Sequence, residues 1–288
     1  GFIGSNMVDF LIDNGNSVIV IDNLSTGKKE NLNPDSEFYN FDISDVKNIN
    51  LLESLIERCQ FIIHMAATPN VQQSIDNPIS SHINNFNSTL NILECMRKIG
   101  GKKMIFSSTS AMYGNPIQFP TDENCKLNPM SPYALQKLIS EQYIKLYHDL
   151  YNIESIILRY FNVFGERMTN EGAYKSVISI FQECESNQLP LTITNDGEQR
   201  RDFIYVKDVV MANYLSCLSD IKFDIFNVGS GKNISINDIS NYFKGDKKYI
   251  GKRIEPFKTL SNCSKIKTKL GWKTKISVDD WLSKKNTI

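Results

Sequence analysis

The chain has 288 residues, 41% of them apolar and 22% charged, and its 32 Lys and Arg balance 32 Asp and Glu. This is enough apolar sequence for a large core plus a smaller lobe, and a zero net charge gives no electrostatic reason to expect nucleic acid or an anionic membrane as a partner. The six cysteines are scattered with no C-x-x-C pair, so no zinc site or disulfide framework is indicated and a reduced, cytoplasmic setting fits. No apolar run approaches the roughly 20 residues that cross a bilayer.

The sequence opens at Gly1, inside what reads as a glycine-rich turn. Residues 5–14 carry apolar side chains at 7, 8, 10, 11 and 12, a helical stripe stopped by Gly15. Ser17 to Asp22 is then a short apolar run rich in branched residues, the pattern of a buried parallel strand. Phe61 to Ala67, Lys103 to Ser107 and Ser155 to Phe161 repeat that pattern, and helical stretches such as Asn87 to Lys98 and Pro132 to Tyr151 separate them. Strands alternating with helices predict a parallel sheet covered on both faces. After Gly165 the character changes to a helix at 176–185 and loops marked by Gly172, Pro190 and Gly197, and from 232 onward to short mixed elements. This reads as a smaller second lobe.

The candidate chemistry sits on the helix at 132–151. Tyr133 and Lys137 are four apart, so they share a helix face and can enter one pocket. A cation beside a phenol favours the phenolate, which moves Tyr133 toward use as a general base at neutral pH. Thr109, at the end of the 103–109 apolar run, is the candidate hydroxyl that holds the substrate oxygen. A half-buried Tyr beside a solvated Lys gives the same spacing, so the pair is read together with its surroundings. Gly1 and Gly4 at a helix start would present backbone N–H groups to a pyrophosphate. Asp22, ending the next strand, can accept hydrogen bonds from both ribose hydroxyls of an adenosine, and its charge repels a 2′-phosphate, so NAD is favoured over NADP.

Gly1-Phe2-Ile3-Gly4-Ser5, Asp22-Asn23-Leu24, His64-Met-Ala66-Ala67, Ser107-Ser108-Thr109 with Tyr113-Gly114, Ser131-Pro-Tyr133-Ala-Leu-Gln-Lys137 and Arg159-Tyr160-Phe-Asn162-Val-Phe-Gly165 follow one another in order. In this the chain resembles the extended short-chain dehydrogenase/reductases of the nucleotide-sugar epimerase group, close to UDP-glucose and UDP-N-acetylglucosamine 4-epimerases. The later pieces Arg201 to Val206, Phe226 to Gly231 and Glu255 to Leu260 carry the resemblance across nearly the whole chain.

The resemblance implies a Rossmann-like doubly wound parallel sheet with a smaller C-terminal substrate-binding lobe. Residues 1–166, rejoined by 202–229, would bind NAD, and 167–201 with 230–288 would bind the nucleotide sugar. Relatives carry a first strand and further glycines before the point where this sequence opens. A molecule without that strand is expected to have a damaged core and to bind dinucleotide weakly. Gly1, Phe2, Ile3, Gly4, Asp22, Asn23, Ser107, Tyr133, Lys137 and Tyr160 are implied cofactor contacts. By the same resemblance Asp42 and Ile43 lie against the adenine, Ala66 and Ala67 line the backbone approach, and Asn85 reaches the cofactor from a helix. Asn85 in an Asn-rich stretch also fits a solvated helix position. A homodimer formed through the helices at 87–98 and 132–151 is implied as well.

In this group the Tyr at 133 takes the proton from a sugar hydroxyl while the same carbon loses hydride, and Thr109 holds that oxygen. Relatives that remove water carry Asp-Glu after this Thr, and those that decarboxylate or dehydrate GDP-mannose carry a Glu two residues on. Here Ser110 and Ala111 stand there, which points to an epimerase. A Glu from elsewhere in space would restore the other chemistries. Asn162, Arg201 and Arg253 resemble diphosphate and sugar contacts, although Arg253 also fits a solvated position among Lys247, Lys248 and Lys252. Thr259 stands where strict UDP-galactose epimerases carry a bulky aromatic, which leaves room for an N-acetyl group at C2. A UDP-glucuronate epimerase also remains open. No metal site is implied.

Overall fold

The computed structural model describes residues 1–168, 176–251 and 256–285. Helix α1 (Phe2–Asp13) leads to β1 (Ile19–Ile21), which pairs in parallel with β2 (Glu37–Tyr39), and α2 (Ile49–Glu57) leads to β3 (Phe61–His64). Short helices α3 (Val71–Asp76) and α4 (Pro78–His82) run through one π turn at Ile83–Asn87 into α5 (Ser88–Ile99). Then come β4 (Lys103–Thr109), a 3₁₀ turn at Ser110–Tyr113, α6 (Pro132–Tyr151), β5 (Glu154–Tyr160) and β6 (Asn162–Phe164). Beyond them lie α7 (Val177–Ser186), β7 (Leu191–Thr194), β8 (Arg200–Arg201), β9 (Phe203–Tyr205), α8 (Val206–Leu218) and β10 (Phe223–Val228). The chain closes with β11 (Ile234–Ser235), α9 (Ile236–Ser240), β12 (Lys247–Ile250), α10 (Ser264–Leu270) and α11 (Val278–Lys285).

The central sheet is parallel with strand order β10-β5-β4-β3. Among the described residues β1 bonds to β2 and not to this sheet, whose edge on the other side from β10 is β3. Strand alternation divides the core. Met104, Phe106 and Ile157 face the Leu52, Ile92, Met96 and Ile144 side chains of α2, α5 and α6. Ile105, Ile156 and Leu158 face Val209, Ala212, Ile266 and the fully buried Trp272 on the opposite side. Both faces are therefore covered, which is why β4 and β5 read as continuous apolar runs. A third cluster, around Phe164, Phe181, Leu191, Phe203, Ile239 and Leu282, packs the remaining elements, and Phe2 and Ile3 from the start of α1 lie against it.

Helix α6 has clear local causes. Ser131 caps it by accepting from the Ala134 N–H, Pro132 occupies its first position, and Asn152 ends it in the left-handed region at φ 55°. In a parallel strand–helix–strand unit the helix runs back against the strands, so the first turn of α6 lies level with the C-terminal end of β4. That places Tyr133 at the height of Thr109. Gly114 closes the turn after Thr109 at φ 61°, and a Cβ there would stand 2.2 Å from the Asn128 carbonyl oxygen.

Candidate active site

Thr109 is both the last residue of β4 and the cap of the 3₁₀ turn, its Oγ1 accepting from the Ala111 N–H at 3.1 Å. Its hydroxyl hydrogen is thus left to donate to an incoming oxygen. Tyr133 is 9% exposed, and its backbone N–H donates to Ser74 Oγ at 3.1 Å, which fixes the first turn of α6. Lys137 is fully buried one turn on. Its Nζ donates to the Ser107 carbonyl at 2.9 Å and lies 4.6 Å from the centre of the Phe106 ring. Helix and strand end are joined by that bond two residues before Thr109.

Burial lowers the Lys137 pKa to about 7, against the opposing pull of Glu141. A charged lysine inside the protein is penalised relative to the unfolded chain, where it keeps its ordinary value near 10.5. Below the folded value both states hold the proton and the penalty is fully present; as pH rises toward the unfolded value the folded state has already released it, and the penalty fades. Lys137→Met is therefore expected to melt higher than the parent below about pH 7 and to lose that advantage by about pH 10. Thermal melts across pH test this, and a constant or negative difference contradicts it. His64, also buried, pairs its Nε2 with Thr89 Oγ1 at 3.0 Å. Desolvation first, and the Lys137 charge second, push its pKa to about 3, so it stays neutral.

The dinucleotide end is assembled from three strand ends. The Gly1 nitrogen lies 3.5 Å from Asp22 Oδ2, and Asp22 Oδ1 accepts the Leu24 N–H at 2.7 Å. Asn23 Nδ2 reaches Asp42 at 3.1 Å. Burial works to raise the Asp42 pKa, but the Ser44 hydroxyl and N–H and the Asn23 amide outweigh it and hold the carboxyl below its usual range. Ile43 packs on the α2–α5–α6 cluster and gives its carbonyl to Asn91. Ala66 is exposed and Ala67 half-buried at the end of β3. A Cβ built on Gly4 meets nothing within 4 Å, so the backbone of the first turn of α1 can be approached closely there. A glycine at a helix start, an acidic β1 end and small residues after β3 fit a dinucleotide.

Several of the expected contacts spend their side chains elsewhere. Asn85 is fully buried rather than solvated: its Oδ1 accepts the Thr68 N–H at 2.7 Å, and its Nδ2 reaches the Thr68 carbonyl and Gln136. The π turn at Ile83–Asn87 produces this, because its extra residue turns Asn84 and Asn85 together onto Thr68. The helix expected from Asn87 begins after that turn, at Ser88. The Ser107 and Tyr160 hydroxyls bond to each other at 3.0 Å, Tyr160 also bonds Asn213, and burial pushes the Tyr160 phenol up to about 12. Phe2 and Ile3 send their side chains into the third core cluster, leaving their backbone at the turn.

On the substrate side, Thr259 Oγ1 accepts from the Asp202 N–H at 3.0 Å and from Asn162 Nδ2 at 3.4 Å. Arg201, buried, donates to the carbonyls of Arg200 and Phe257. Arg253 and Gly172 lie outside the described residues. Ser110, Tyr113, Gly114, Phe161 and Thr259 line one small cleft next to Thr109. Neither Ser110 nor Ala111 brings a titratable group to it.

The anchor of this region was not legible from motifs. Asp202 is fully buried and accepts from Ser261 N–H and Oγ, Ser230 N–H and Oγ, and Gly231 N–H at 2.6 to 3.1 Å. Desolvation nonetheless raises its pKa. The ion pair of Glu141 and Arg159 was missed too. Its signal was available: Tyr133, Lys137 and Glu141 form a polar stripe at four-residue spacing on the buried side of the helix.

The sequence profile described as the NAD dependent epimerase/dehydratase family matches residues 1–229. A putative UDP-glucose 4-epimerase of Methanocaldococcus jannaschii is 42% identical over 99% of this chain and 94% of its own length. Among solved structures, the UDP-glucose 4-epimerase of Thermotoga maritima with UDP-glucose aligns at a TM-score of 0.93 and 35% identity, covering 100% of this chain and 97% of the other. The UDP-N-acetylglucosamine 4-epimerase of Methanobrevibacter ruminantium, in complex with UDP-N-acetylmuramic acid, aligns at 0.91 and 36%, covering 98% and 92%.

Proposed function

The chain belongs to the NAD dependent epimerase/dehydratase family, and from that membership we propose that it inverts C4 of a UDP-hexose through a transient 4-keto sugar. The observation that carries this reading is the bond from Lys137 to the Ser107 carbonyl, which ties the helix of Tyr133 and Lys137 to the strand that ends at Thr109, followed by a turn with no carboxylate at 110 or 111. Asp22 and the start of α1 would hold NAD, which would supply the acceptor for the hydride lost from C4. Tyr133 takes the proton from the 4-hydroxyl, Thr109 donates to that oxygen, and the buried Lys137 supplies the positive charge that favours the phenolate. With the 4-keto sugar turned over, the hydrogen would return to the other face of C4 while Tyr133 gives the proton back to the C4 oxygen, which completes the inversion. Removing water or carbon dioxide needs a further acid or base at the 110–111 turn, and the chain offers none there. Incubating the protein, supplied with NAD, with UDP-glucose or UDP-N-acetylglucosamine and reading products by NMR tests this. A C4-inverted sugar supports it, and a dehydrated or decarboxylated product overturns it.

Residues 1–166 with 202–229 then form the NAD-binding part, and 167–201 with 230–288 the nucleotide-sugar part. Asn162, Arg201 and Arg253 bind the substrate's diphosphate and sugar, with Arg201 fixed by its own backbone contacts. Thr259 borders the cleft, and its small side chain leaves space at the sugar C2, so an N-acetylhexosamine is the favoured substrate. Thr259→Tyr is expected to lower kcat/KM for UDP-N-acetylglucosamine at least about tenfold relative to UDP-glucose. An unchanged ratio contradicts the assignment.

Among the described residues no helix is long and apolar enough to cross a membrane. Along α6, Ile144 and Tyr147 enter the core while Leu135, Leu146 and Leu150 are exposed, and Ile75, Ile79 and Ile83 in the preceding segment are exposed too. An apolar face of this extent supports the two-helix homodimer. Leu146→Glu with Leu150→Glu is expected to give monomers in sedimentation experiments. A parent protein that is already monomeric contradicts the dimer.

A further inference from the structure

Directly behind Lys137, one helical turn on, lies Glu141, 3% exposed. Its carboxylate accepts from Ser108 Oγ at 2.6 Å and from Arg159 Nε and Nη2 at 2.7 to 3.2 Å. Arg159, equally buried, also donates through Nη1 to the Tyr113 hydroxyl at 2.8 Å and to the Glu123 carbonyl at 3.1 Å. Tyr113 passes the chain on to Asn227 Oδ1 at 2.7 Å. One polar network thus links α6 to β4, β5, β10 and the turn that follows Thr109. Removing two opposite charges from water costs about as much as their attraction returns, so stability alone is a weak reason for such a pair. Its position suggests another reason, because the elements it joins are those that carry Thr109, Tyr133 and Lys137.

We propose that Glu141 is a positioning residue: anchored by Ser108 and Arg159, it locks the helix of Tyr133 and Lys137 against the strand end of Thr109 and holds Lys137 in its charged form. This rests on the roles given above to Tyr133 and Lys137. Glu141 touches none of the reacting groups itself. The groups facing Lys137 are the neutral His64 from β3, the Phe106 ring and Ser107 carbonyl from β4, Tyr133 and Glu141 from its own helix, and Arg159 of β5 beyond Glu141. Glu141 is the one anion among them. With it gone, Lys137 would face burial and the Arg159 cation together, and both act to expel its proton.

The direct test follows the lysine Cε resonance of Lys137 by NMR across pH, assigned by its disappearance in Lys137→Met, alongside the pH profile of kcat in the NAD-loaded enzyme. In Glu141→Gln the Lys137 titration and the alkaline limb of kcat are expected to move together to lower pH by about one unit. Turnover at the optimum is expected to fall about 10- to 100-fold with KM within about twofold. Ser108→Ala, which keeps the ion pair, should lower kcat without moving the titration. If Glu141→Gln does not fold because Arg159 is left unpaired, Glu141→Gln with Arg159→Met buries no charge and must show the same direction of shift. A folded variant in which Lys137 titrates where it does in the parent overturns the proposal. If the parent inverts no UDP-hexose, the functional reading fails, and the NMR titration still decides this one.

Discussion

Tyr133→Phe is expected to lower kcat by about 10²- to 10⁴-fold, the range typical for removing a positioned general acid–base group. The substitution deletes a single oxygen. The ring and its packing remain, and the contact that anchors the first turn of α6 runs from the Tyr133 backbone N–H to Ser74, so it is untouched. Lys137 also keeps its bond to the Ser107 carbonyl. The fold should therefore be retained, and the main effect should appear in turnover. Steady-state rates, an NAD titration and a thermal melt on the same preparation separate these quantities. Retention of more than about a tenth of the parent kcat would assign the proton transfer to another group.

Arg159→Met is expected to cost about 3–5 kcal/mol of stability, because it leaves Glu141 buried without its cation. The side chains are 3% exposed on both partners, so water cannot take over the lost bonds. Adding Glu141→Gln removes the stranded charge, and most of the loss should return, giving a large coupling in a double-mutant cycle. The sign with pH follows. In the single variant the stranded carboxyl binds a proton more readily than in the unfolded chain, so the destabilisation should shrink as pH falls. Urea melts at neutral and acid pH measure both effects. A cost below about 1 kcal/mol would mean that water or another donor reaches Glu141.

Much of the fold was readable because its signals are local. Helix α6 spans Pro132–Tyr151 as expected, since Ser131, Pro132 and Asn152 mark its ends through their own backbone preferences. The strands at 103 and 155 stood out as apolar runs because each face of the sheet is covered. The boundaries moved where neighbours intervened. The run at 61–67 bonds into the sheet only to His64, whereas β4 runs to Thr109 as expected, Ser108 and Thr109 pairing with Arg159 and Tyr160.

The same division holds for the site. The spacing of Tyr133 and Lys137, the polar end of β4 at Thr109 and the acidic end of β1 at Asp22 were determined by the sequence itself, because helical pitch and strand period place side chains without reference to distant residues. What the tertiary structure decided is where each polar group spends its bonds and charge. It turned Asn85 onto Thr68, joined Ser107 to Tyr160 and Tyr160 to Asn213, gathered five donors around Asp202 and paired Glu141 with Arg159. It also decided between the two readings of Lys137, which is a buried cation rather than a solvated one and whose pKa falls to about 7. These outcomes depend on burial and on partners far apart in the chain, and both come into being only when the strands take their register and the helices close over them.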